Sequence, residues 1–134
     1  MKKLTLLLAL SLFSTQGLAV PSIFSCEVKR DLSIFEDSIS DVKRVDSFIF
    51  KDEIDKLVFS KDKDKRPNIV LDDELTITSS QRNSDTELFL SGWVGSTIIP
   101  FAFQYFLKKD YGYLDIAYSR TGNARVMIAR CVAF

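Results

Sequence analysis

Histidine is missing from all 134 residues of this chain. That absence removes His-dependent triads, the commonest general base and almost all catalytic zinc sites together. Cysteine occurs only at Cys26 and Cys131, with no Cys-x-x-Cys and nothing beside either thiol to make it reactive. Glycine and proline are sparse, at five and three residues. Lysine plus arginine and aspartate plus glutamate number 18 each, interspersed, so no basic face argues for a nucleic-acid partner. No catalytic or cofactor motif stands out, and the chain is expected to be neither an enzyme nor a cofactor protein.

What is present begins with an export signal. Met1-Lys2-Lys3 is a short positive region, and Leu4 to Phe13 is an apolar run interrupted only by Thr5 and Ser11. Ser14 to Ala19 is polar, with the small residues Gly17 and Ala19 at the positions a signal peptidase reads. The apolar run is far shorter than the roughly 20 residues that span a bilayer. Cleavage after Ala19 leaves residues 20–134 as one mature domain with no membrane span. Losing Lys2 and Lys3 changes the balance from 18 against 18 to 16 against 18, a net charge of −2. The di-lysine start and short core are of bacterial type, so the expected location is the periplasm or the secreted medium.

The two cysteines lie near the two ends of that domain. An oxidising compartment and a single possible pairing predict a Cys26–Cys131 disulfide. Closing a loop of about 100 residues stabilises by about 4–5 kcal/mol in the chain-entropy model, comparable to the net stability of a small domain. The bridge therefore reads as a structural staple. A competing reading takes Ile23-Phe24-Ser25-Cys26 as a lipoprotein signal, but Phe24 is bulky for it, and acylation of Cys26 would strand Cys131 as a free thiol.

Eleven Phe, four Tyr and one Trp favour pleated, half-buried surfaces. Phe24, Cys26, Val28, Leu32 and Ile34 alternate with polar residues, a period of two over a long first strand in which Arg30 is the exception. Further strands are expected near Val45–Lys51 and Leu57–Phe59. A hairpin follows, of Ile69-Val70-Leu71 and Leu75–Thr78 about a turn at Asp72–Glu74. Leu88–Gly95, Thr97–Leu107, Tyr113–Ser119 and Ala124–Val132 complete the set. Glu36 to Asp41 is turn-forming, and residues 36–47 have room for one helical turn. Lys61 to Asn68 alternates charge and ends in Pro-Asn, a solvated hairpin tip in which Asp62 and Asp64 lack the Gly and distal Glu of a calcium loop. Gly122 or Asn123 is available for positive φ in the last turn. About eight or nine short strands predict an all-β domain, a small antiparallel lipocalin-like barrel or a sandwich. Cysteines in the first and last strands favour the barrel, where those strands are neighbours.

Phe24-Ser25-Cys26, and Ser119-Arg120-Thr121-Gly122 followed by Cys131, resemble motifs of small exported bacterial β-barrel proteins of unknown function. More distantly, the layout resembles the periplasmic inhibitors of C-type lysozyme. That resemblance implies an eight-stranded barrel, a disulfide near the chain ends, and a Ser-Gly-x-x-Tyr loop that reaches the lysozyme cleft. Ser91-Gly92-Trp93-Val94-Gly95 supplies the Ser-Gly pair, with Gly95 where those inhibitors carry Tyr.

Three functional readings remain open. The first is a non-catalytic binding or inhibitor module using Trp93 and Tyr111 as partner contacts beside turns, since Trp and Tyr are favoured interface anchors. Against it stands Trp93 as a plain core residue. The second is a carrier of a small hydrophobic ligand or lipid in a Phe-rich lumen, although barrels of this size usually fill their interior with side chains. The third pairs carboxylates among Asp72, Asp73, Glu74 and Asp115, but adjacent acids in a turn are more simply solvent-facing.

Overall fold

A computed structural model describes residues 20–95 and 99–134; the expected signal segment, residues 1–19, lies outside them. Nine strands form among the described residues. They are β1 (Ile23–Phe35), β2 (Ser38–Asp41), β3 (Ser47–Asp52), β4 (Lys56–Phe59), β5 (Glu74–Gln81), β6 (Glu87–Val94), β7 (Pro100–Phe106), β8 (Tyr111–Arg120) and β9 (Asn123–Ala133). They pair antiparallel in the order β2-β1-β3-β4-β5-β6-β7-β8-β9, and β1 pairs again with β9. The sheet thus closes as an eight-stranded barrel, with β2 and β3 acting as one broken strand beside β1. The barrel expected from the sequence is the fold.

Closure is fastened where the cysteines predict. Cys26 faces Cys131 directly in the β1–β9 register, and their sulfurs are bonded with Cα atoms 4.0 Å apart. Both side chains are buried, and the bonded Cys26 sulfur has no free thiol to acylate. Gly112 of β8 faces Cys131 on one side and Tyr105 of β7 on the other. A Cβ there would lie 2.2 Å from the Gln104 carbonyl oxygen, so the strands approach closely only because the residue is glycine.

The interior is packed with rings. Phe24 stacks on Phe50 at 5.3 Å and meets Phe103 and Tyr105 edge-on at 4.8 and 5.0 Å, while Phe48 and Phe59 extend the cluster. Leu57, Leu75, Leu88, Leu90, Leu114 and Ile116 complete the layer. Offset and edge-on pairs of this kind add about 0.5–1.5 kcal/mol each beyond area burial. Among the described residues the interior is a continuous cluster of buried apolar side chains.

Two strands depart from simple alternation. The β1–β9 register slips between Val28 and Arg30, leaving Lys29 as an extra residue. A one-residue bulge reverses every face beyond it. Asp31 therefore enters the core, 2 % exposed, while Leu32 and Ile34 move to the outer face, half-buried. The single face expected to run from Phe24 to Ile34 is thus two half-faces. β5 slips register between Ile77 and Ser79 and runs on to Gln81, past Thr78 where the strand was expected to end.

Residues 36–47 hold a short strand, not a helical turn. Ile69-Val70-Leu71 is not a strand either. The segment 60–73 is a long connection in which Ile69 and Val70 are buried as a plug and Leu71 is exposed. Apolar composition alone cannot separate a buried loop from a buried strand. The last turn is as expected, with Gly122 at φ 74°.

Candidate partner-binding surface

With the described interior side chains packed on one another, the outward-facing residues of the wall and rims are the candidates for a site. Trp93 lies near the top of β6, opposite Thr76 and Pro100 on the neighbouring strands. Its neighbours Gly92 and Val94 point inward, so alternation sends the indole outward, where it is 41 % exposed. It is a surface residue, and the core reading is corrected by its place in the pleat. Ser91 and Gly92 likewise lie within β6, while Gly95 opens the following turn.

Tyr111 begins β8 on the same outer wall, half-buried beside its register partner Phe106. The two rings lie 5.7 Å apart, and Tyr113 meets Tyr111 edge-on at 5.9 Å. The Arg130 guanidinium covers the Tyr111 ring at 4.8 Å and the Lys109 ammonium lies 5.5 Å from the Phe106 ring. These are cation–π distances, so the patch couples aromatic area to positive charge. Trp93 and Tyr111 are not neighbours. Their partners on β7, Pro100 and Phe106, are six residues apart, about 20 Å along a strand. The wall therefore carries two separate aromatic spots, with Trp93 isolated and Tyr111 clustered.

The carboxylates fall apart in a similar way. Asp72 to Glu74 lie at the start of β5, and Asp115 lies in mid-β8, with β6 and β7 between. Glu74 bonds Lys56 at 2.8 Å, and that bond holds the lysine's pKa above its ordinary value. Asp115 is flanked by Ile128 and Ala102 in register, and desolvation raises its carboxyl above the usual carboxylate range. Among the described residues no carboxylate pair frames a cleft here.

Several charged residues carry more of the structure than their sequence context suggests. Buried Arg66 donates to the carbonyl oxygens of Ser60, Lys61, Val70 and Leu71 at 2.9–3.1 Å, tying both ends of the 60–73 connection. Asp62 accepts from the Asp64 amide and caps a 3₁₀ turn at Lys63–Lys65, so this acid serves the backbone of the loop. Asp31 is paired with Arg125 at 3.1 Å. At the opposite end Asp52 takes a two-pronged bond from Arg82, one arm at 2.9 Å, which raises the pKa of the guanidinium. Sequence reading missed these because each partner is 30 or 94 residues away, or is a backbone carbonyl.

Among the hollows bounded by described residues, two bear on the candidate site. One, of 330 Å³, lies at the lower end by Val20, Pro21, Asp52, Ile54 and Arg82. The larger, of 660 Å³, is an open groove where β3 and β4 part, lined by Arg44, Val45, Ser47, Phe48, Ser60 and Lys65 among others. No helix among the described residues is long and apolar enough to cross a membrane. Comparison with protein-family models, curated proteins and solved structures finds nothing that matches this chain.

Proposed function

We propose that the protein is exported to the periplasm or beyond and acts there as a non-catalytic binding or inhibitor module whose partner is another protein. The observation that carries this reading is Trp93, a large aromatic held open to solvent on a rigid strand. Trp is the residue most enriched at energetic centres of interfaces, and strand anchoring limits the entropy lost on docking. The disulfide accords with an oxidising compartment. Inhibition of a C-type lysozyme is one form this role could take. A hydrophobic-ligand carrier is less favoured, since a ligand in the lumen would have to displace rings already in contact with one another.

The test places a photoreactive phenylalanine analogue at Trp93 in one sample and at Tyr111 in another, followed by irradiation in periplasmic extract. A discrete protein adduct, competed away by excess unlabelled wild type, is the expected result. Lysozyme inhibition is assayed in parallel. If neither position gives a competed adduct and no lysozyme is inhibited, the binding-module reading fails.

A further inference from the structure

Among the described residues, the groove between β3 and β4 leaves part of the β3 edge without a ladder partner. The Val28 amide donates to the Asp46 carbonyl at 2.8 Å, and the Asp52 amide donates to the Ser22 carbonyl at 2.7 Å. Even-numbered residues of β3 therefore turn their backbone groups toward β1, and Ser47, Ile49 and Lys51 turn theirs the other way. Lys51 meets Val58 of β4. β4 ends at Phe59, opposite Phe50, and the chain then leaves the wall because Arg66 holds Ser60 and Lys61 by their carbonyls. Past that rung, the amide and carbonyl of Ser47 face the groove. The edge continues along β2. The Val42 amide donates to Asp31, so Ile39 and Asp41 turn their backbone groups outward from a strand exposed at every residue.

The groove has the other features of a strand acceptor. Phe48 and Val45 are buried beneath it, and Ile49 and Ser25, paired in register, form one lip. Its rim is basic on a chain of zero formal net charge. Arg44 and Lys65 line it together with Asp46 and Asp64; Asp46 is already paired with Lys43 at 2.9 Å, and Lys61 and Lys63 belong to the same loop as Lys65. Arg44 bonds the carbonyls of Lys63 and Arg66 and no carboxylate, and the Lys65–Asp62 pair is long, at 4.0 Å, and exposed. Exposed edges of this kind are normally covered, bulged or charged, and the irregular stretch between β2 and β3 blunts this one only in part.

We propose that this groove binds an extended acidic peptide segment of a protein partner, which adds as an antiparallel strand to the Ser47 edge of β3 in the line that β4 vacates. The proposal rests on the binding-module reading and supplies its partner chemistry: main-chain hydrogen bonds for affinity, carboxylates set against Arg44 and Lys65 for selectivity. It adds the groove to the Trp93 wall, as the place where an extended segment of the same partner is read.

The test is a titration of the isotopically labelled mature protein with acetyl-(Glu-Val)2-Glu-amide, followed by backbone amide shifts. Saturable shifts centred on Ser47, Ile49 and Ile39 are expected. The same peptide with alternate amides N-methylated should bind at least tenfold more weakly, as should the Glu-to-Lys peptide. On the protein side, Lys65→Glu should weaken binding severalfold; Lys65 is exposed, so the fold is retained. Ser47→Pro, which removes an amide that β1 does not use, should lower affinity further. No saturable shift, shifts confined to Trp93 and Tyr111, or equal affinity for the N-methylated peptide would each overturn the proposal. A competed adduct at Trp93 that Lys65→Glu leaves unchanged would retain the binding module while removing its strand-acceptor groove.

Discussion

The two sides of this barrel are closed by different means. On the seam side, β1 and β9 run in register from Phe24–Ala133 to Phe35–Asn123, and β8 continues the ladder from Gly112–Cys131 to Arg120–Asn123. On the far side, β3 meets β4 only from Phe50–Phe59 to Asp52–Leu57, and β4 meets β5 only from Lys56–Thr76 to Val58–Glu74. The seam is held by long ladders, a covalent bridge and buried strands that face each other. The far side is held by side chains gripping the backbone: Arg66 and Arg44 on the 60–73 connection, and Asn68 on the Val42 carbonyl at 3.2 Å. A barrel needs every strand boundary satisfied to remove its edges. Here one boundary is over-secured and another is left partly open, and the opening coincides with the larger groove.

The sharpest way to break this contrast is to remove the bridge. The double variant Cys26→Ala/Cys131→Ala, which leaves no free thiol, should lose about 4–5 kcal/mol by the chain-entropy estimate. Urea unfolding measures it, with an m-value that rises because the unbridged denatured chain exposes more surface. Amide exchange in the variant should speed most along β1 and β9, lowering the seam toward the far side. A loss below 1 kcal/mol would mean that the ladders alone close the barrel.

The far side answers to Arg66. Arg66→Met keeps an apolar stem among Ile69 and Val70 but leaves four carbonyls without their donor. Bonds from a charged group contribute about 1.5–3 kcal/mol each in isolation, and water can replace those at the loop's rim, so a net loss of about 2 kcal/mol is expected. Native-state exchange should accelerate over residues 60–73 and the neighbouring 42–46 stretch while β8 and β9 stay protected. Uniform acceleration across the barrel would show that the two sides unfold as one unit.

What could be read beforehand divides along the same line. The disulfide is legible because two thiols permit one intramolecular bridge, and the seam strands are legible because Leu114, Ile116, Met127 and Ala129 alternate cleanly. The bulge at Lys29 is not legible: a one-residue slip leaves composition unchanged, and Arg30 registers only as an isolated exception. Arg66 reads as one more charge in a basic loop because its partners are carbonyls, which carry no sequence identity. Ile69-Val70 carries the β-branched signature of a strand, yet it buries its side chains from a loop that Arg66 restrains. Trp93 is ambiguous for a different reason: β6 is apolar on both faces, so only the pleat relative to Gly92 decides which side it takes. The far side is therefore the harder half to foresee, and it is also where the strand-acceptor groove lies.

The smallest expected effect belongs to the seam's outer face. Asp115 stands between Ile128 and Ala102 with no ion-pair partner among the described residues, and desolvation raises its carboxyl above the ordinary 3.8. The folded protein therefore holds this proton to a higher pH than the unfolded chain does. Its stabilising contribution is complete below 3.8 and is lost as pH rises through the raised folded value. Above that value the ionised form costs stability. Asp115→Asn should then leave the thermal midpoint unchanged below 3.8 and raise it slightly at neutral pH, a difference read from paired melting curves across that range. On the far side Lys43 and Lys56 are also raised, but for the opposite reason: Asp46 and Glu74 bond them and favour the charged form. A neutral-pH loss in Asp115→Asn would mean that this carboxylate also has a partner, and the seam's outer face would then be charged and paired like Lys56 and Glu74 on the far side.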